Sequence, residues 1–229
     1  MIITTHYKKR REDIEVYFCF LRFLLSFEAH RQRTIQNTDT GETLVITQEM
    51  QCVAKAQSFI LLYNLVESTV CDCLNAIYDA IQDDKLKYIN VSDNIKAMWR
   101  SYLKSKKPPK TTYNEDEILN MSITFESLVV NISGSLDFRK IQEVFSKHGC
   151  LLNDNKREII APSFLVVKNK RNMLAHGNLS FSDCGSRYLI SELLLFKQHI
   201  VDYMQEVVDI THDYIACKAY TMNTESTKM

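Results

Sequence analysis

Glycine and proline are scarce in this chain, with 5 and 3 respectively in 229 residues. Average usage is about 7% and about 5%. An all-β protein with many tight turns needs more of both, because these residues supply the backbone angles that turns require. A glycine-rich phosphate loop has almost no glycine to be built from. Charge of one sign is also missing: 28 basic residues face 28 acidic ones, for a net charge of zero. No whole-molecule field draws the chain to nucleic acid or to an anionic membrane, so any such contact must come from a local patch. The longest apolar stretch, residues 16–27, is interrupted by Arg22 and is too short to span a bilayer. The opening MIITTHYKKRRED places acids after its basic cluster, which is not the pattern of a secretory leader. The cysteines number seven, and only Asp72 separates Cys71 from Cys73, unlike the two-residue spacing of zinc or redox pairs. The expectation is free thiols in a reducing, cytoplasmic setting, with no metal, no cofactor and no membrane.

What remains is an ordinary globular balance, 45% hydrophobic and 24% charged, ample for a packed core. Long helices tolerate scarce glycine and proline best, so the fold class expected is all-α. Within residues 7–33, Tyr17, Phe20, Leu21, Leu24, Leu25 and Phe27 recur at three- and four-residue spacing, which reads as an amphipathic helix. Its aromatic face is more often core or dimer interface than a base-stacking platform. Residues 34–47 read as a polar connection with a short extended piece. Residues 48–81 contain no glycine or proline and repeat Val53, Ala56, Ile60, Val70, Leu74, Ile77 and Ile81 at helical spacing.

A shorter helix is expected over 91–104. The proline-bearing stretch 105–116 reads as a surface insertion, and residues 115–132 stay open between helix and strand because they are rich in β-branched side chains. Ser135 or Asp137 can cap the next helix, which Gly149 ends. Pro162 suits the first turn of the following helix, which stops at Gly177. NLSFSDCGS reads as a loop, a last long helix covers 189–220, and the tail frays. The organisation expected is one domain over 1–229, with an N-terminal helix and connection (1–47), a main body (48–216) and a tail (217–229).

The segment that carries chemistry is KNKRNMLAHGNLSFSDCG, residues 168–185. Arg171 is followed directly by Asn172 and, five positions on, by His176 at a helix end against Gly177. Asn172 and His176, four apart, share a helix face. Arg171 lies about 140° around the helix from His176, so spacing alone does not bring the two together. Either the arginine reaches around, or a second copy of the motif completes the site. Arginine, histidine and an amide together suit phosphodiester cleavage in RNA: histidine moves the proton of the attacking 2′-hydroxyl, and arginine holds the phosphate and its developing charge. Read bare, the pair also fits a structural arginine and a helix-capping histidine. Glu67, a carboxylate among Ile60, Leu61, Leu62, Leu65, Val66 and Val70, is costly unless paired. It either orients Arg171 or His176 or is satisfied elsewhere. Asn64, one turn earlier, is a second supporting candidate, and Lys168 and Lys170 are candidates for substrate binding.

The segment RNMLAHGNLSFSDCG resembles the HEPN superfamily (higher eukaryotes and prokaryotes nucleotide-binding domain). YNLVEST at 63–69 and SGSLDFRKIQEVFSKHG at 133–149 are similar to a bacterial branch, the MAE-type HEPN-like nucleases. The resemblance covers about residues 48–216. It implies a helical bundle built on two long antiparallel helices and a metal-independent endoribonuclease whose site is completed across a homodimer. Arg171 and His176 would be catalytic and Asn172 the polar residue beside them. It also implies a toxin or anti-phage effector, with RNA as substrate and an antitoxin or sensor as partner. In the branch paired with minimal nucleotidyltransferases, a tyrosine lies two positions after the histidine; here that position is Asn178. The same fold also has members that only bind nucleotides, dimerise or act as antitoxin-like partners.

Overall fold

The structure, a computed structural model, describes residues 2–25, 34–106, 115–125, 132 and 134–222. Its centre is the 36-residue helix α2, Gln48–Asp83, preceded by α1, Ile2–Leu25, and a two-stranded hairpin, β1 Thr34–Gln36 and β2 Thr43–Val45. Then come α3 (Asp93–Lys106), α4 (Glu115–Asn120), α5 (Phe138–Lys147), α6 (Arg157–Ala175), α7 (Phe181–Ser186) and α8 (Ile190–Ala216). The all-α expectation therefore holds, with the hairpin as the only sheet among the described residues.

Apolar side chains surround α2 on most sides, and 15 of its residues are buried. By length and hydropathy alone α2 passes for a membrane span, but half of that window is buried inside the bundle. A helix apolar nearly all round belongs at the centre of a core, and α1, α6, α7 and α8 all pack against it. Thr47 starts α2 by accepting a hydrogen bond from the Met50 N–H, and Asp84 closes it, bonded to Lys218 and to the Tyr220 hydroxyl.

Contacts fix the directions. Arg10 meets Asp72 and Tyr17 meets the Ala54 carbonyl, so α1 runs antiparallel to α2. Tyr7 bonds the Val201 carbonyl and Lys197 pairs with Glu15, so α1 is also antiparallel to α8. Lys55 reaches the Tyr188 carbonyl and Lys218 reaches Asp84, so α2 and α8 are parallel. Ser163 bonds His199 and Lys170 sits over Tyr188, which sets α6 antiparallel to both. α1 and α6 are thus each antiparallel to both α2 and α8.

Several local expectations change. The first helix begins at Ile2 rather than residue 7, because Ile3 and Tyr7 are buried against the bundle; residues 26–33 lie outside the described ones. Pro162 is inside α6, five residues past its start. The helix opens earlier because the Asp154 and Lys156 carbonyls already accept the Arg157, Ile159 and Ile160 N–H groups. Asp137, not Ser135, caps α5 by accepting the Lys140 N–H at 2.9 Å. The expected loop after Gly177 contains α7, which Ser180 starts through the Asp183 N–H. Of residues 115–132, the first six form α4 and Ser122 forms an isolated bridge with Lys87. Residues 126–131 lie outside the described ones, as does most of the proline-bearing stretch 105–116.

His148, the C-cap of α5, is buried. Its Nδ1 is 2.7 Å from the Val144 carbonyl and its Nε2 is 2.7 Å from the Tyr78 hydroxyl. A carbonyl only accepts, so Nδ1 carries the proton and Nε2 accepts from Tyr78. Burial holds the imidazole below its ordinary value of 6.5, outweighing the Val144 carbonyl, which raises it. A histidine with a depressed folded value stabilises fully above 6.5 and less as pH falls below it, since the unfolded chain then binds more protons. Stability to denaturant is expected to fall as pH drops through that range. In a His148→Gln variant that part of the slope should disappear.

Candidate functional site

Arg171 lies in the penultimate turn of α6, and four groups fix its guanidinium. Its Cζ sits 4.5 Å from the centre of the Tyr63 ring, a cation–π arrangement. Its Nη2 is 3.4 Å from Glu67 Oε2 and its Nη1 donates to Asn172 Oδ1 at 3.1 Å. The fourth group is the Gly134 peptide, reached through its neighbours: Asn172 Nδ2 donates to the Gly134 carbonyl at 2.9 Å, and the Gly134 N–H donates to Glu67 Oε1 at 3.1 Å. Glu67, Arg171, Asn172 and Gly134 thereby close a ring of hydrogen bonds. The Tyr63 hydroxyl accepts the Leu136 N–H at 3.2 Å, which pins the same loop to α2. Burial raises the Tyr63 phenol, against the Leu136 N–H, which lowers it.

Helix geometry explains who takes part. Tyr63 and Glu67 are four residues apart on α2 and share a face. Gly134 has φ +67°, a left-handed angle that side-chain-bearing residues adopt at a cost of about 1–2 kcal/mol. A Cβ there would also come within 3.5 Å of Arg171 Nη1. The ion pair is loose: 3.4 Å exceeds the roughly 2.7–2.9 Å of a tight charge-assisted bond. Both partners keep about a fifth of their side-chain surface exposed, 22% each. Arginine has five N–H donors, and among the described residues two are taken. The site presents a pre-oriented cation with donors to spare for an oxyanion.

The other candidates separate. Asn172 uses both ends of its amide, accepting from Arg171 and donating to the Gly134 carbonyl, and so holds the guanidinium in place. Asn64 is not at this cluster: it is exposed and lines a cavity of about 250 Å³ with Arg10, Asp13, Ile14 and Ser68, toward α1. Three residues on a helix leave a 60° offset, enough to turn Asn64 away from Glu67. Lys168 is committed to Asp137 at 2.5 Å. Burial raises the Asp137 carboxyl, but the Lys168 ammonium and the Lys140 N–H outweigh it and hold it below its ordinary value. Lys168 therefore braces α6 against the start of α5. Lys170 lies 5.8 Å over the Tyr188 ring. The sequence reading missed Tyr63 and the Gly134 peptide as parts of the site, although both lie in the stretches that carried the family resemblance.

His176 is the C-cap of α6 and is exposed. Gly177, at φ +69°, turns the chain out of the helix. The Gly177 N–H bonds the Leu174 carbonyl and the Asn178 N–H bonds the Met173 carbonyl, at 3.2 and 2.9 Å. This Schellman closure fixes where the imidazole leaves the helix. Among the described residues the ring itself forms no hydrogen bond or ion pair.

A family model, described as MAE_28990-like HEPN, matches residues 4–220. The chain belongs to the MAE-type HEPN family. The match reaches from α1 to the residues after α8, so the N-terminal helix, which the sequence resemblance had left aside, is part of the HEPN unit. No curated protein and no solved structure gave a match. Membership in the HEPN family indicates a nuclease or a nucleotide-binding module. It also gives a common setting to three separate stretches of sequence, because YNLVEST, SGSLDF and KRNMLAH converge at Arg171.

Proposed function

We propose that this HEPN protein is a metal-independent endoribonuclease of the cytoplasm, acting as a toxin or anti-phage effector. The observation that carries the reading is the fixed guanidinium of Arg171, with N–H donors to spare, followed on the same helix by the exposed His176. In the reaction an RNA 2′-hydroxyl attacks the adjacent phosphorus. A histidine takes the hydroxyl proton, Arg171 binds the non-bridging oxygens as charge builds on them, and the 5′-oxygen leaves with a proton from a second histidine. The products are a 2′,3′-cyclic phosphate and a 5′-hydroxyl. Two histidines are wanted and one chain supplies one at this motif, which supports a site completed by a second copy.

The test is expression in a bacterial host of the wild type beside the Arg171→Ala/His176→Ala double variant. The wild type is expected to arrest growth and fragment RNA, and the double variant to do neither. The pairing of Arg171 with Glu67 favours a second reading, in which the arginine is structural and the chain is a binding, dimerisation or antitoxin-like module. Normal growth and whole RNA under both proteins, each soluble, would select that one.

A further inference from the structure

A groove of about 610 Å³ lies between the start of α5 and the first half of α6. That volume, an apolar floor and a few polar groups on the walls are the usual make-up of a small-ligand site. The floor is Phe138, Ala161, Pro162 and Leu165, and Leu165 is 47% exposed. Glu158, Ala161, Pro162 and Leu165 are spaced i, i+3, i+4 and i+7, so α6 presents them on one face.

The groove continues into the Arg171 cluster along both walls. On α6, Ala161, Leu165, Lys168 and Asn172 form one stripe, and Leu165 stands about 10 Å along the axis from Asn172. Opposite, the chain from Gly134 to Phe138 runs back along α6. Gly134 meets Asn172, Asp137 meets Lys168, and the Phe138 ring lies 6.2 Å from that of Phe164. A strand held at Arg171 can therefore lay a neighbouring nucleotide in the groove.

The charges on its walls divide into spent and free. Asp137 is spent on Lys168, and Arg157 faces Asp154 at 3.7 Å. Arg139, on α5, and Glu158, on α6, also line the groove and are exposed. Among the described residues neither forms a hydrogen bond or ion pair; Arg139 acts on the Asp137 carboxyl through its charge alone. A free carboxylate on one wall repels a phosphate. Free donors on one wall and free acceptors on the other suit an uncharged planar ring that carries both kinds of group on its edge.

We infer that the groove is a base subsite, and that it takes a guanine of the RNA strand held at Arg171. Guanine has two adjacent acceptors, O6 and N7, which a guanidinium grips with two N–H groups. It also has two adjacent donors, N1–H and the N2 amine, which match the two oxygens of a carboxylate. No other RNA base carries both pairs. The apolar floor covers the ring face. For its substrate the inference rests on the proposed function, but base binding can be measured without cleavage.

The test uses the full chain carrying His176→Ala, which keeps Arg171 and the groove. Its affinity is measured for uridine oligonucleotides bearing one guanosine, inosine or adenosine. Guanosine is expected to bind about tenfold or more tighter than adenosine, with inosine, which lacks the N2 amine, between them. Adding Glu158→Ala should erase the gap between guanosine and inosine, and adding Arg139→Ala should weaken both alike. Binding of the all-uridine strand should stay unchanged in each. The cut sites left by the wild type in a random-sequence RNA should carry guanine at one fixed offset. Equal binding of the three oligonucleotides, or a guanosine preference that both variants keep, would overturn the inference. So would guanosine monophosphate binding as tightly as the strand with no fixed guanine at the cut sites, since the groove would then serve a free nucleotide. A guanosine preference that needs Arg139 and Glu158, in a wild type that cleaves no RNA, would support the subsite and count against the nuclease reading.

Discussion

Arg171→Ala is expected to lower RNA cleavage by the purified protein about 10²–10³-fold, the usual loss when one group that stabilises developing oxyanion charge is removed. The fold should survive, because the Arg171 side chain lies at the edge of the bundle and keeps 22% of its surface exposed. The informative contrast is Glu67→Gln. It keeps the shape and the oxygen that accepts the Gly134 N–H, but removes the charge that faces Arg171. If Glu67 positions the guanidinium, this variant should lose about ten- to a hundredfold in cleavage, since small misplacements of a reacting group are that expensive. If Glu67 instead restrains Arg171 as a competitor for phosphate, Glu67→Gln should bind RNA more tightly and cleave at least as fast. Single-turnover rates of the three proteins at saturating RNA decide between these.

Gly185→Ala is expected to be the most damaging small substitution in the protein. In a mid-helix position alanine normally gains about 0.5–1 kcal/mol over glycine, so the sequence alone suggests a stabilising change. The structure reverses the sign. A Cβ at Gly185 would stand 1.8 Å from the Cys52 carbonyl oxygen and 2.6 Å from its carbon. These are backbone atoms in the first turns of α2, so no side-chain rotation relieves the clash. α7 would have to lift off α2. Overpacking of this severity costs about 3 kcal/mol or more, which for a chain of this size lowers the melting temperature by about 6–12 °C. Because α7 follows His176 by only a few residues, its displacement should also reduce cleavage. An unchanged melting temperature would contradict the close helix contact.

Much of the fold could be read from the sequence for a definite reason. Helices that bury one face leave a periodic trace, which α5 and α8 carry, whereas α2, apolar nearly all round, shows itself by its long run without glycine or proline. α7 was not legible: it is six residues of mostly polar and small type, held by a serine cap and by the absence of a side chain at Gly185. Pro162 misled because a proline fits a first turn, whereas the start of α6 is set by carbonyls at Asp154 and Lys156 that leave no side-chain signature. At the site, Arg171, Asn172 and Glu67 could be picked out as charge or amide in telling positions, and the structure brings these three together. The Gly134 peptide was invisible, since backbone groups carry no residue code. Asn64 and Lys168 show the limit of spacing arguments. One is turned 60° toward α1, and the other is consumed by Asp137, a partner 31 residues away.

The most direct test of the account is the chemistry of the RNA ends. The purified wild type and Arg171→Ala, each with and without chelator, are incubated with a defined RNA and the product termini identified. The account predicts 2′,3′-cyclic phosphate and 5′-hydroxyl ends from the wild type, insensitive to chelator and lost in the variant. Ends with a 3′-hydroxyl and 5′-phosphate, cleavage that chelator abolishes, or equal cleavage by Arg171→Ala would contradict it.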